Sequence, residues 1–226
     1  MRIGGRDYWA SPARWVVGWT SVDVCLTPRL VGATLFTKIA IIIGSTRPGR
    51  NGAAVAQWVL EQSASRSDAE YELVDLADYP LPHLDEAMPP AMGQYANDHT
   101  KKWAAKIAEF DGYIFVTPAY NHSTTGVLKN AIDYLSAEWT NKAAGFVGYG
   151  VVGGVRAVEH LRLVLATMHM ATVGSQVALS LFTDFEAMST FTPGPQHDAP
   201  LTSLFSQLES WSAALSPLNA VEPAAA

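Results

Sequence analysis

The sequence predicts an α/β fold, a three-layer sandwich in which helices cover both faces of a five-stranded parallel sheet. From Lys38 onward, short apolar runs alternate five times with segments whose apolar residues recur at helical spacing. Such alternation is typical of parallel strands joined by right-handed crossover helices. The chain has 226 residues, of which 49% are hydrophobic, and this is enough to bury the core of one such domain.

Two strand–helix units come first. KIAIII, at residues 38–43, is a β-branched run suited to a buried parallel strand. A helix is predicted over residues 52–65, where apolar side chains recur every three or four positions. YELVDL, at residues 71–76, alternates as a strand does, and residues 95–110 predict a helix with large apolar side chains on one side.

Three further units repeat this order. The predicted strands are GYIFVT, KAAGFVGYG and ATVGSQVAL, at residues 112–117, 142–150 and 171–179. The predicted helices cover residues 124–137, 154–168 and 201–215. Ligands of open parallel sheets bind beyond the carboxyl ends of the strands. The loops after the first, third and fourth strands therefore form the candidate site.

The two ends of the chain fall outside this pattern. Residues 1–37 show no clean period, and WVVGW is too short for the apolar core of a signal peptide. The arginines of this segment leave mitochondrial targeting open, but a poorly ordered extension is the favoured interpretation. The expected organisation is a domain at residues 38–215, followed by a disordered tail at residues 216–226.

Composition excludes several classes of function. The net charge of −6 argues against general binding of nucleic acid or anionic membranes. No apolar run approaches the roughly 20 residues of a membrane span. Cys25 is the one cysteine, so no internal disulfide can form and a cytoplasmic location is expected. The six histidines show no metal-binding spacing, and no metal site is predicted.

The first loop, GSTRPGRNG, has the features of an anion site. It follows a strand and opens a helix, whose free amides and positive dipole end favour a negative charge. Ser45 and Asn51 add neutral donors, and Arg47 and Arg50 add guanidinium groups that can bind phosphate through two hydrogen bonds. The alternative is a surface turn with incidental arginines.

Two other nucleotide motifs fit less well. A P-loop would place lysine and a hydroxyl residue where this sequence has Arg50 and Asn51, so an NTPase is not expected. G-x-G-x-x-G does occur, at residues 148–153, but in the fourth unit and without an acid about 20 residues later. A dinucleotide-binding dehydrogenase remains an alternative, in which Asp75 at the end of the second strand would bind a ribose.

Three segments together resemble one known family. GSTRPGRNG, PAYNHSTTGVLKNAIDYL and GYGVVGGVRA are similar, in order and context, to the NAD(P)H-dependent FMN reductases of the flavodoxin-like superfamily. The resemblance covers residues 38–184. It implies a flavodoxin-like fold with strand order 2-1-3-4-5, one bound FMN, NADPH or NADH as electron donor, and a homodimer or homotetramer.

The resemblance also implies which residues bind FMN. The phosphate would contact Ser45, Arg47, Arg50 and Asn51. The isoalloxazine ring would be lined by Pro118, Ala119, Tyr120, Asn121 and His122, and bordered by Gly148, Tyr149 and Gly150. The family often has Glu at the position of Ala119 and Pro near Thr125. These departures bear on the choice of substrate rather than on FMN binding.

The implied activity is transfer of a hydride from NAD(P)H to FMN, and of two electrons onward to a small-molecule acceptor. The acceptor would be a flavin, a quinone, an azo compound or a metal oxyanion. No side chain is predicted to be catalytic, because the cofactor supplies the chemistry. His122 is interpreted as a structural or flavin-edge residue. The alternative function is a flavodoxin-like electron carrier or FMN-binding module without NAD(P)H turnover.

Overall fold

The computed structural model describes residues 37–219. The strands are β1 (Thr37–Ile43), β2 (Ala69–Asp75), β3 (Gly112–Pro118), β4 (Ala143–Gly150), β5 (Ala171–Ser180), β6 (Phe185–Glu186) and β7 (Thr190–Phe191). The α-helices are α1 (Gly52–Ser63), α2 (Asp98–Ala108), α3 (Gly126–Asp133), α4 (Val155–Thr167) and α5 (Asp198–Asn219).

The first five strands form one parallel sheet in the order β2-β1-β3-β4-β5, and β6 and β7 form a separate antiparallel hairpin. This confirms the predicted fold class and strand order. The strand order switches direction between β1 and β3, which is where open parallel sheets generally bind ligands.

Two hydrophobic cores lie on opposite faces of the sheet. β3 and β4 are buried along their whole length, as expected for central strands covered by helices on both faces. In β1, Ala40 and Ile42 join the core under α2, α3 and α4, whereas Ile41 joins the core under α1 and α5. This separation follows from the alternation of side chains along a strand. No helix within residues 37–219 is long and apolar enough to cross a membrane.

The structure differs most from the sequence prediction at α3 and α5. α3 begins two residues later than predicted because Thr125, in extended conformation, caps it by accepting a hydrogen bond from the amide of Leu128 at 3.1 Å. It ends at Asp133, four residues before the predicted end. α5 continues through residues 216–219, where the disordered tail was predicted to begin. Its last turn is held by the Asn219 side chain, which donates to the carbonyl of Asn141 at 3.2 Å.

Two predicted segments lie mostly outside the described residues. These are the amino-terminal extension, up to residue 36, and the tail from residue 220. The β6–β7 hairpin was not predicted, because each of its strands has only two residues. Strands this short carry too little alternation to stand out in a sequence.

Candidate functional site

Three loops meet at the carboxyl edge of the sheet. The amide of Gly44 donates to the carbonyl of Val116 at 2.8 Å, which aligns the first and third loops. The amide of Ala119 donates to the carbonyl of Tyr149 at 3.0 Å, which aligns the third and fourth. The predicted site residues of all three loops therefore lie in one region.

The first loop presents donors around the start of α1. The earliest intrahelical bond runs from the amide of Val55 to the carbonyl of Asn51 at 3.2 Å, so the amides of Gly52 and Ala53 precede it. Arg47 is exposed and forms no ion pair with a carboxylate among the described residues. Ser45 is buried. Free amides and an unpaired guanidinium at a helix start suit a phosphate group.

Arg50 is held inside the loop. One guanidinium nitrogen, Nη1, donates to the carbonyl of Ser45 at 2.8 Å, and Nη2 forms an ion pair with the carboxylate of Asp75. Asp75 also accepts the amide of Ala77 at 2.9 Å. Both terminal nitrogens of the Arg50 guanidinium therefore bind groups of the protein and stabilise the loop. Asp75 is the ion-pair partner of Arg50.

Asn51 is also engaged within the protein. Its Nδ2 donates to the carbonyl of Met188, in the β6–β7 hairpin, at 2.9 Å. Its side chain makes no capping hydrogen bond to α1. Three of the four predicted phosphate ligands thus have their side chains bonded to other protein groups, because the Ser45 hydroxyl also bonds the hydroxyl of Tyr120. Arg47 is the basic residue of the loop that has no carboxylate partner among the described residues.

The third loop contains a tight turn at residues 120–123. The amide of Tyr120 donates to the carbonyl of Ser123 at 2.8 Å, and the reverse bond is 3.1 Å. Asn121 and His122 have φ angles of 49° and 74°. Left-handed φ is uncommon for residues other than glycine, and such backbone outliers concentrate at functional sites. The amides of Asn121 and His122 donate to no backbone group among the described residues.

His122 has no carboxylate partner among the described residues. Its ring lies beside that of His160 on α4, with 5.8 Å between centroids, and His160 Nδ1 is 3.0 Å from the Ser123 hydroxyl. An acid–base role usually needs a group that orients the imidazole. His122 therefore lies at the edge of the turn and forms no proton relay with a carboxylate among the described residues.

The fourth loop carries glycines for packing. A Cβ on Gly148 would lie 2.9 Å from the carbonyl oxygen of Gly153, and one on Gly154 would lie 2.5 Å from the amide nitrogen of Tyr149. Gly153 and Gly154 also have φ angles of 68° and 70°. The G-x-G-x-x-G pattern is therefore explained by the close return of the chain over β4 before α4 begins.

Tyr149 turns its side chain toward α1. The ring is 5% exposed, and a Cβ on Gly52 would lie 2.7 Å from its hydroxyl oxygen. The hydroxyl is buried and has no hydrogen-bond partner among residues 37–219. Burial raises the pKa of Tyr149 well above its ordinary value, so the group keeps its proton. An unpaired O–H donor beside a helix start is a further feature that suits an anion.

The β6–β7 hairpin is tied to the sheet by Asp184. This carboxylate accepts the amide of Ser180 at 2.7 Å and contacts His197 Nε2 at 2.7 Å, while being 1% exposed. Burial by itself would raise the pKa of Asp184. The hydrogen bonds from His197 and from the Ser180 amide outweigh burial and lower the pKa below its ordinary value.

We expect Asp184→Asn to lower the free energy of unfolding by about 1–3 kcal/mol at pH 7, because hydrogen bonds to a charged group are weakened. A lowered pKa contributes stability above the unfolded value and loses it as pH falls through the folded value. The difference from the parent protein should therefore shrink below about pH 4. Urea unfolding across this range measures it, with Glu186→Gln, on the exposed hairpin surface, as the control. A difference in the free energy of unfolding between Asp184→Asn and the parent that does not change with pH would contradict the prediction.

Comparison with known proteins identifies the family. The family model for NADPH-dependent FMN reductases matches residues 37–184. The chain belongs to this family. It is an oxidoreductase whose cofactors are FMN and NAD(P)H. Within residues 37–219, no group of three or more His, Cys, Asp or Glu side chains could hold a metal ion.

Individual relatives agree with this assignment. A NAD(P)H-dependent FMN reductase of Schizosaccharomyces pombe is 38% identical over 179 residues, which cover 76% of this chain and 90% of the relative. A 2-hydroxy-1,4-benzoquinone reductase of a Burkholderia species is 33% identical over 57% of this chain and 70% of its own length. The flavoenzyme NAD(P)H:(acceptor) oxidoreductase of Paracoccus denitrificans shares the fold, with a TM-score of 0.62, 20% identity, and coverage of 79% of this chain and 98% of that one.

The residues present fit FMN. The first loop of this FMN reductase offers amides, the Arg47 guanidinium and the unpaired Tyr149 hydroxyl for a phosphate group. The third loop offers the turn amides of Asn121 and His122 for a polar ring edge. Sequence reasoning missed the Arg50–Asp75 pair and the hairpin contact to Asn51. Asp75 did stand out as an acid at a strand end, but its partner lies 25 positions away.

Proposed function

We propose that this FMN reductase binds the FMN phosphate at the start of α1, through Arg47, the loop amides and Ser45. The isoalloxazine ring would lie along residues 118–122 and 148–150. The observation that carries this proposal is the hydrogen bond of 3.0 Å between the hydroxyls of Ser45 and Tyr120. It joins the loop suited to a phosphate directly to the loop suited to a ring, and Tyr120 is 36% exposed beside it.

When bound, FMN supplies the redox chemistry, accepting a hydride from NAD(P)H and passing two electrons to an acceptor. The protein residues bind and orient. The turn amides of Asn121 and His122 favour negative charge at the ring edge. Ala119, half-buried and without a long side chain, leaves the approach to the ring open. No side chain of the three loops needs to act as a nucleophile or a general acid.

A small quinone is the acceptor class we favour. Exposed apolar side chains border the fourth loop, with Val151 57%, Val152 48% and Phe182 61% exposed. The carbonyl of Gly150 accepts the amide of Leu181 at 3.0 Å, which brings the two exposed segments together. An apolar rim favours an apolar, planar acceptor over a charged one. The benzoquinone reductase among the relatives is consistent with this class.

We also propose that the enzyme is a cytoplasmic homodimer or homotetramer. An open cavity of about 480 Å³ lies between α3 and α4, and Leu163 beside it is 72% exposed. This open cavity with an exposed leucine at its edge is the surface that we propose as the interface. Sedimentation equilibrium of the purified protein distinguishes these assemblies from a monomer.

The activity test uses purified protein loaded with FMN. We expect it to oxidise NADPH or NADH when benzoquinone is present, followed by the absorbance of the reduced nicotinamide. Quinones of increasing polarity should give decreasing kcat/KM. Bound FMN that NAD(P)H does not reduce would favour an electron carrier instead. Faster turnover with a charged acceptor than with an apolar quinone would refute the acceptor class.

A further inference from the structure

The β6–β7 hairpin, which follows the residues matched by the family model, contacts the candidate site. The family match ends at residue 184, and the hairpin begins at residue 185. Its tip reaches the first loop through the bond of 2.9 Å from Asn51 Nδ2 to the carbonyl of Met188. A segment 137 positions away in the sequence thus fixes a residue at the start of α1.

The hairpin packs firmly on the elements around that loop. The ring centroids of Phe185 and Tyr149 are 6.3 Å apart, and those of Phe191 and Trp58 on α1 are 5.6 Å apart. The two phenylalanines are 5.0 Å apart between centroids. Edge and tilted aromatic contacts of this kind add to the stabilisation from burial. The hairpin is therefore docked through one aromatic cluster to both β4 and α1.

The tip of the hairpin has a backbone shape that sets the acceptor carbonyl. Ala187 and Met188 have φ angles of 47° and 57°, in the left-handed region. Such angles cost energy for residues other than glycine and persist when the surroundings hold them. The Met188 side chain is 52% exposed, so its main contribution to the loop is the backbone carbonyl.

The base of the hairpin is closed by Asp184. Its backbone carbonyl accepts the amide of Thr192 at 2.9 Å, while its carboxylate holds Ser180 and His197. The segment is thus fixed at both its base and its aromatic side. A rigid support of this kind can hold a binding loop in the geometry needed for its ligand.

We propose that Asn51 is a positioning residue, and that the β6–β7 hairpin acts through it to hold the phosphate-binding loop. This inference rests on the proposed phosphate site. The contact between Asn51 and the hairpin would increase the affinity for flavins that carry a terminal phosphate, and it would leave the contacts to the flavin ring unaffected. FMN and riboflavin differ by that phosphate, so the ratio of their dissociation constants reports on the loop alone.

The test compares variants on the two sides of the contact by flavin fluorescence titration of the apoprotein. Asn51→Ala removes the donor without removing a helix cap. Ala187→Val, at an exposed position, places a β-branched residue at a φ of 47° and shifts the Met188 carbonyl. Ala187→Gly tolerates that φ, and Met188→Ala keeps the carbonyl, so both are matched controls.

We expect Asn51→Ala and Ala187→Val each to weaken FMN binding by about threefold to tenfold, the value of one hydrogen bond, without changing riboflavin affinity. The double variant should match the single ones, and both controls should match the parent. Loss in Asn51→Ala alone would mean that Asn51 contacts phosphate directly and would overturn the proposal. Equal losses for both flavins would indicate a general structural effect and would also overturn it. A parent protein that binds riboflavin as tightly as FMN would instead refute the phosphate site itself.

Discussion

Replacing Arg47 with alanine is expected to weaken FMN binding by about 10-fold to 100-fold, the effect of losing a charge-assisted hydrogen bond to phosphate. Riboflavin affinity should not change, because riboflavin has no phosphate. Of the basic residues in the first loop, Arg47 is exposed and Arg50 is committed to Asp75 and to a backbone carbonyl. The measurement is fluorescence titration of apoprotein with each flavin.

Two further variants sharpen this result. Arg47→Lys should recover part of the affinity, because lysine keeps the charge but lacks the planar fork. Arg156→Ala removes an exposed arginine on α4 and should bind FMN like the parent. An Arg47→Ala protein with unchanged FMN affinity would show that the phosphate binds elsewhere. Weakening of FMN binding at high salt should also be smaller in this variant than in the parent.

Gly154→Ala is expected to cost about 3 kcal/mol or more of folding stability, through backbone strain and overpacking together. Its Cβ would lie 2.5 Å from the Tyr149 amide nitrogen and 2.7 Å from the Gly148 carbonyl carbon, at a φ of 70°. Both close neighbours are backbone atoms of β4, so relief requires the fourth loop to lift. Urea or thermal unfolding measures the loss, and FMN affinity should fall with it.

Gly126→Ala provides the matched control for this substitution. Gly126 is the first residue of α3, and a Cβ there meets nothing within 4 Å. Alanine at that position should leave stability unchanged or raise it by about 0.5–1 kcal/mol, because glycine is the weaker helix former. Equal effects of the two substitutions would mean that the close approach of residues 148–154 is not what requires Gly154.

Most of the sheet could be predicted from local sequence patterns. Runs such as KIAIII and GYIFVT are buried on both faces, so their composition alone marks them as central parallel strands. The first loop was recognisable because its amides, serine and arginines are contiguous in sequence. The start of α3 could not be placed as closely from its pattern, because it depends on the capping hydrogen bond to Thr125.

The hydrogen-bond and ion-pair partners of individual side chains could not be predicted from local patterns. Arg50 and Asn51 are adjacent, yet one turns to Asp75 at the end of β2 and the other to the hairpin at Met188. These partners depend on which distant segments pack against the loop, and the spacing of residues along the sequence does not show which segments do so. Tyr149 likewise stands among loop glycines, but strand alternation directs its ring to the α1 side of the sheet.

The Arg50–Asp75 ion pair has a consequence for how the cofactor is exchanged. Both side chains are mostly shielded, with 18% and 22% of their side-chain surface exposed, and the pair forms from the chain's own groups. The shape of the loop is therefore held by contacts within the chain. Little ordering entropy remains to be lost on association, which favours rapid uptake. We therefore expect the apoprotein to bind FMN in a single step, whose rate depends on diffusion of the flavin to the site.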